Sequence, residues 1–178
     1  MLDFLQQHNY IVVSVDSSNQ QRYAIRMPNQ IPDFEDNGNL PPGIHAATWA
    51  EFTERFGYND HRRKQLDGLK QLGAALAQAG GTSICVDGSY VTSKEFPRDF
   101  DACFDPTGVD PDVLRKLAPE ILDPGPRRIN QKTRFGGEIF PSSATADIAG
   151  NRYLDFFQQD RNTGNRKGIV KLNLGDLS

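Results

Sequence analysis

At 178 residues with a formal net charge of −3, the chain has the size of one compact domain with room for a small added element. The slight acidity argues against broad coating of nucleic acid or membrane, and leaves only a local basic patch for such contacts. No stretch is long and apolar enough to cross a bilayer. The opening Met1-Leu2-Asp3-Phe4 lacks the basic region and apolar core of a signal peptide, so a cytoplasmic protein is expected.

In chain order, the first segment reads as a strand pair. Residues 10–15 are apolar and β-branched, Asp16-Ser17-Ser18-Asn19 supplies a turn, and residues 22–27 alternate Tyr23 and Ile25 with polar neighbours. Residues 28–42, rich in Pro, Asn, Asp and Gly, read as a loop or linker. This divides the chain into an N-terminal β-hairpin with its linker at 1–39 and a main domain at 40–178. Thr48 and Glu51 have the spacing of a capping box, which starts a short helix running to about Phe56. Asn59-Asp60 caps a longer helix. Its Leu66, Leu69, Leu72 and Leu76 form one apolar stripe, and Gly80-Gly81 ends it.

Residues 83–86 and 100–104 read as buried strands. Cys85 and Cys103 lie inside them and read as buried free thiols. No CxxC or Cys/His cluster suggests zinc. Asp110-Pro111 opens a helix that turns Val113, Leu114 and Leu117 inward. Pro119 and Pro124-Gly125-Pro126 break the segment after it. Residues 134–140 read as a third central strand, 151–158 as a short helix, and 168–174 as a closing strand. Strands and helices mix without strict βαβ alternation. The expected fold class is therefore α+β, a mixed sheet with helices mostly on one face and an extra N-terminal β-hairpin.

The chemistry concentrates between residues 86 and 101. Asp99 and Asp101 are spaced i, i+2, so on a strand their carboxylates share a face while Phe100 points away. Two like charges held together repel unless a cation lies between them. Magnesium prefers oxygen ligands and is commonly held by one or two carboxylates plus substrate phosphates. Gly88-Ser89 precedes the pair in a loop. Glycine lets backbone N–H groups approach a phosphate, and the serine hydroxyl adds a hydrogen bond. Lys94 reads either as a cation for a triphosphate or as a solvated loop lysine.

Gly88-Ser89, the stretch Tyr90 to Arg98, and then Asp99-Phe100-Asp101-Ala102 resemble the signature of the DNA-polymerase-β-like nucleotidyltransferases. The surrounding Leu40-Pro41-Pro42-Gly43-Ile44-His45, Gly88-Ser89-Tyr90-Val91-Thr92-Ser93-Lys94, Pro97-Arg98-Asp99-Phe100-Asp101 and Lys167-Gly168-Ile169-Val170 resemble a branch of bacterial and phage nucleotidyltransferase-like proteins. The resemblance spans roughly residues 40–174. It implies a triphosphate on Gly88, Ser89 and Lys94, and two magnesium ions on Asp99, Asp101 and a third carboxylate from a neighbouring strand. Glu138 is the expected third acid, with Asp147 as its competitor. Glu138 is one methylene longer than the usual Asp. Asp87 stands where the family has an apolar residue.

The function so implied is transfer of a nucleoside monophosphate from a triphosphate onto a protein or RNA hydroxyl, within a toxin–antitoxin or phage-defence setting. The alternatives are a catalytically weak or inactive binding or antitoxin protein of the same fold, and a magnesium nuclease. The short chain predicts that selectivity comes from a protein partner, an RNA or a second copy of itself. His45 and His61 read as helix-surface or packing residues, and Trp49 and Phe52 as core. Arg98 reads as a solvated charge. Arg161, Arg166 and Lys167 read as a solvated basic turn that could touch an acceptor nucleic acid.

Overall fold

The computed structural model describes residues 31–177, together with the backbone of residues 6–7, 10–14 and 22–26. The chain forms two compact units, 1–30 and 31–178. In the first, β1 (Gln6–Gln7), β2 (Tyr10–Ser14) and β3 (Arg22–Arg26) pair antiparallel in that order. The expected strand pair is present, with a short third strand beside it. The turn expected at Asp16-Ser17-Ser18-Asn19 lies outside the described residues.

The second unit begins before residue 40. Ile31 and Leu40 are buried in its core, so the second half of the expected linker belongs to the domain. Its strands are β4 (Gly43–Ala47), β5 (Ser83–Asp87), β6 (Phe100–Phe104), β7 (Gly137–Pro141) and β8 (Gly168–Asn173). They form one mixed sheet in the order β4-β8-β5-β6-β7. The outer pairs β4·β8 and β6·β7 are parallel, and the inner pairs β8·β5 and β5·β6 are antiparallel. The protein is an α+β fold built on this five-stranded sheet. β8 does not close the sheet at an edge; it lies between β4 and β5.

The helices follow their sequence signals closely. Helix α1 (Trp49–Phe56) starts on a complete capping box, in which Thr48 accepts from the Glu51 N–H while the Glu51 carboxylate accepts from the Thr48 N–H at 2.8 Å. Helix α2 (Asp60–Gln78) is capped by the Asn59 side chain, which accepts from the Arg62 N–H. The α2 stripe of Leu66, Leu69, Leu72 and Leu76 is fully buried, as are Trp49 and Phe52 of α1. Helices α3 (Pro111–Leu117) and α4 (Pro119–Leu122) follow β6.

The third-strand expectation needs correction at its start. Lys132, Arg134 and Phe135 belong to helix α5 (Ile129–Phe135), and the strand begins only at Gly137. Gly136 ends the helix at φ +75, with its N–H donating to the Lys132 carbonyl. Thr133 and Phe135 carry strand-like side chains, but packing of α5 against α2 overrides that propensity. A Cβ on Gly68 of α2 would stand 1.9 Å from the Phe135 carbonyl oxygen. The two helices therefore touch backbone to backbone. β7 is also an edge strand, not a central one.

The sheet's two faces differ. Ile84, Val86, Phe100, Ala102, Ile139, Val170 and Leu172 point into the main core beneath the helices. Cys85, Cys103, Phe140 and Ile169 point the other way, where Phe157 and the short helix α6 (Tyr153–Phe156) cover them. Both cysteines are free and buried, as expected.

Candidate functional site

The register of β5, β6 and β7 aligns three acids in one row. Asp87 lies opposite Asp101 across the antiparallel pair, and Asp101 lies opposite Glu138 across the parallel pair. Residues directly opposite on neighbouring strands share a face. The next row on that face is Cys85, Cys103 and Phe140, which is buried, whereas in the acidic row Asp87 is buried and Asp101 and Glu138 are half-buried. Asp99 immediately precedes β6 and stands on the same side, joined to Glu138 through a lysine. Asp99, Asp101 and Glu138 thus come together, and Asp87 is an additional member that the sequence marks only as a departure from the family pattern.

Two ammonium groups enter this acidic patch. Lys132 Nζ of α5 stands 3.0 Å from Asp99 Oδ2 and 2.8 Å from Glu138 Oε1. Lys167 Nζ stands 2.5 Å from Asp87 Oδ1, and both side chains of that pair are nearly buried. The basic turn is therefore not wholly solvated, because Lys167 reaches inward while Arg166 donates to Gln158 Oε1 at 3.1 Å. Asp101 has no hydrogen-bond or ion-pair partner among the described residues. Burial, and then the carboxylates of Asp87, Asp99 and Glu138, push its carboxyl up to about 6, against the opposing pull of Arg161. Burial also raises Asp87, opposed by Lys167, the Gly88 N–H and Arg161. Lys132 is held above the usual lysine range by its bonds to Glu138 and Asp99.

The Gly88-Ser89 turn follows β5 directly as one 3₁₀ turn, Gly88–Val91. Gly88 has φ +78, and a Cβ there would lie 2.6 Å from Asp101 Oδ2. Glycine is thus required both for the backbone conformation and for room against the carboxylate. Beside the turn lies a cleft of about 260 Å³ whose walls include Gly88, Ser89, Thr92, Asp101, Arg161 and Lys167. Lys94 does not line it: the side chain is solvent-exposed on the far part of the loop, and the cations facing the cleft are Arg161 and Lys167. Asp147 is also outside. Its carboxylate accepts from the Asn151 N–H at 3.0 Å and from Asn151 Nδ2 at 2.7 Å, closing its own turn.

The loop between Gly88 and Asp99 is anchored from below by α2. The fully buried Arg62 donates to the Phe56 and Lys94 carbonyls at 2.6 Å each and to the Tyr90 carbonyl. Tyr90 Oη donates back to the Arg62 carbonyl at 3.0 Å. One turn further on, Gln65 Nε2 donates to the Pro97 carbonyl at 2.9 Å, and His61 Nε2 meets the same oxygen at 2.5 Å. His61 is thus an exposed residue of α2 held to the loop, and His45 is half-buried with its Nε2 2.7 Å from the Pro41 carbonyl. Arg62 is not singled out by any motif, although it sits four residues before Leu66 on the apolar stripe. A charge on that stripe is the signal that could have found it.

All the donors in the acidic row are hard oxygens, which suit magnesium better than a transition metal. Asp101, whose carboxylate has no side-chain partner among the described residues, would be the member of the row open to such an ion. Among the described residues, no group of three or more His, Cys, Asp or Glu side chains stands close enough to hold a metal as placed. Lys132 occupies the gap between Asp99 and Glu138.

The fold and site define an α+β domain with an acidic row and a glycine-serine turn on one open sheet face. The chain belongs to the DUF6932 family, described as a family of unknown function, which matches residues 32–173. No curated protein and no solved structure matches the chain.

Proposed function

We propose that this domain is a metal-dependent nucleotidyltransferase that moves a nucleoside monophosphate from a triphosphate onto a protein or RNA hydroxyl. The observation carrying the reading is the alignment of Asp87, Asp101 and Glu138 across three strands, with the Gly88-Ser89 turn packed on the Asp101 carboxylate. The polymerase-β-like signature noted in the sequence supports the same assignment.

In this reading the triphosphate lies in the 260 Å³ cleft. The Ser89 N–H and hydroxyl face its oxygens, Gly88 lets the turn approach them, and Arg161 and Lys167 supply the charge that Lys94 was expected to give. Asp101, with Asp99 and Glu138 beside it, would hold magnesium. A bound ion there would neutralise phosphate charge and lower the pKa of an attacking hydroxyl. The hydroxyl oxygen forms a bond to the α-phosphorus, the bond to the bridging oxygen of the β-phosphate breaks, pyrophosphate departs, and the hydroxyl proton goes to solvent. Arg62 keeps the loop of residues 88–98 in place, so the triphosphate and the acids hold a fixed separation.

Incubation with α-labelled triphosphates and total cellular RNA or protein tests this directly. Label transferred in magnesium and lost in the Asp99→Asn/Asp101→Asn variant supports the reading. Magnesium-dependent cleavage of RNA without added triphosphate would replace it with the nuclease reading. A second reading, a nucleotide-binding or antitoxin-like protein without turnover, is favoured by one observation: Lys132 and Lys167 already form ion pairs with three of the four acids. It predicts triphosphate binding with no label transferred.

A further inference from the structure

We propose that the cleft between helices α2 and α5 binds single-stranded RNA and leads its end to the acidic row as the acceptor. This rests on the nucleotidyltransferase reading and narrows its acceptor to RNA.

The cleft measures about 500 Å³, and its walls include Gly68 and Phe135, where the two helices touch. Four cations line it, Lys64, Arg98, Lys132 and Arg134, against one acid, Asp67. Lys132 is bonded to Asp99 and Glu138, and Arg134 to Glu120. Lys64 and Arg98 are exposed and have no ion pair among the described residues. On a chain of net charge −3, a local patch of this kind is what can attract a polyanion.

The cleft also holds an unmet acceptor. Gln65 lines it and is only 6% exposed. Its Nε2 is committed to the Pro97 carbonyl at 2.9 Å, which fixes the orientation of the amide. Its Oε1 is buried and has no hydrogen-bond partner among the described residues. Buried acceptors are nearly always satisfied. A ligand that brings an O–H donor against this wall removes the deficit, and the ribose 2′-hydroxyl is such a donor. Phosphate and carboxylate oxygens are acceptors themselves and cannot.

An aromatic ring stands beside the cations. Phe96 is 58% exposed and lies edge-on to the ring of His61, another residue of the cleft wall, at 5.8 Å between centroids. Single strands are held by this combination, with bases stacked on aromatic rings while cations follow the phosphates. The backbone carrying Phe96 and Arg98 is pinned to α2. Asn59 Nδ2 donates to the Glu95 carbonyl at 3.1 Å, and Gln65 and His61 both hold the Pro97 carbonyl.

Placement connects the cleft to the chemistry. The acidic row runs Asp87, Asp101, Glu138 across three strands. The triphosphate cleft opens at the Asp87 end, and Lys132 joins this second cleft to the Glu138 end. A strand end passing Lys132 brings its terminal hydroxyl to the acids from the side away from the triphosphate.

Binding is measured on the full chain by fluorescence anisotropy, in chelator and without triphosphate, using a labelled oligouridylate of about ten nucleotides. The RNA should bind more tightly than the matching oligodeoxyuridylate. Lys64→Gln/Arg98→Gln should weaken RNA binding at least tenfold. It should also make the slope of log affinity against log salt shallower by about 1.4, two phosphate contacts at about 0.7 each. Phe96→Ala should weaken binding about tenfold and leave that slope unchanged. Far-UV circular dichroism checks that each variant is folded. Several results overturn the inference: no RNA bound by the unmutated protein, equal binding of the DNA, or affinity and slope unchanged in the folded double variant. Displacement by polyglutamate as effective as by unlabelled RNA also overturns it, and marks the cleft as a site for an acidic protein. RNA bound in the expected pattern but never labelled by α-labelled triphosphates in magnesium leaves the site standing and counts against the nucleotidyltransferase reading. Label passed to protein with no RNA bound does the reverse.

Discussion

Replacing Asp101 with Asn removes the most unfavourable charge in the site. The Asp101 carboxyl is raised from 3.8 to about 6 by burial and by Asp87, Asp99 and Glu138. The cation pulling the other way is Arg161, and Lys167 lines the same cleft. Because the folded value lies above the unfolded one, the folded state binds the proton more tightly. The associated stability is fully present below pH 3.8 and is lost as pH rises through about 6. A shift of about two units corresponds to about 3 kcal/mol lost at neutral pH. Asn does not titrate and avoids that loss. Without divalent ions, Asp101→Asn should therefore match the unmutated protein near pH 4 and exceed it by up to about 3 kcal/mol at pH 7.5, roughly 6–12 °C in Tm. Urea melts at pH 4, 5, 6 and 7.5 in chelator would measure the difference. A gap that is constant with pH, or that narrows upward, would refute the electrostatic account of the acidic row.

Other substitutions probe how the site is held. Gly88→Ala places a Cβ 2.6 Å from Asp101 Oδ2 at φ +78, so triphosphate affinity should fall at least tenfold while far-UV circular dichroism stays unchanged. Arg62→Met leaves the Phe56, Tyr90 and Lys94 carbonyls without their donor; a loss of about 3 kcal/mol or more in denaturant melts is expected, with proteolytic nicking in residues 88–98. Gly68→Ala would force α2 away from the Phe135 carbonyl, 1.9 Å from the new Cβ, and should cost about 1–3 kcal/mol or more by thermal melt. Thr48→Ala removes half of the α1 capping box and should cost about 1 kcal/mol by the same assay.

Local signals were legible where a few adjacent residues decide the outcome. Thr48 with Glu51, Asn59 before α2, and the leucine stripe all act within one or two helical turns, and each element formed where its signal lay. The i, i+2 spacing of Asp99 and Asp101 and the strand-like run around Glu138 were similarly readable. What escaped depends on register and long-range packing. Asp87 joins the row only because β5 pairs opposite β6, and Lys167 meets it from 80 residues away. Lys132 was hidden because Thr133, Arg134 and Phe135 imitate a strand, and only the contact of α5 with α2 makes them helical. The place of Lys94 outside the cleft was not readable either, because Arg62 and Gln65 fix the path of the loop through contacts remote in sequence.

In the nucleotidyltransferase reading, the acidic row and the glycine-serine turn together bind a metal–triphosphate. Thermal melts with magnesium, with each common triphosphate, and with both test it most directly. An ion bridging the carboxylates and phosphate oxygens should make the combined shift exceed the sum of the separate ones. At ligand a hundredfold above Kd the stabilisation is about 2.7 kcal/mol, roughly 5–10 °C for a domain of this size. Asp99→Asn/Asp101→Asn should erase the excess while leaving the protein folded. No shift with any triphosphate, or an excess that survives the double substitution, would contradict the account.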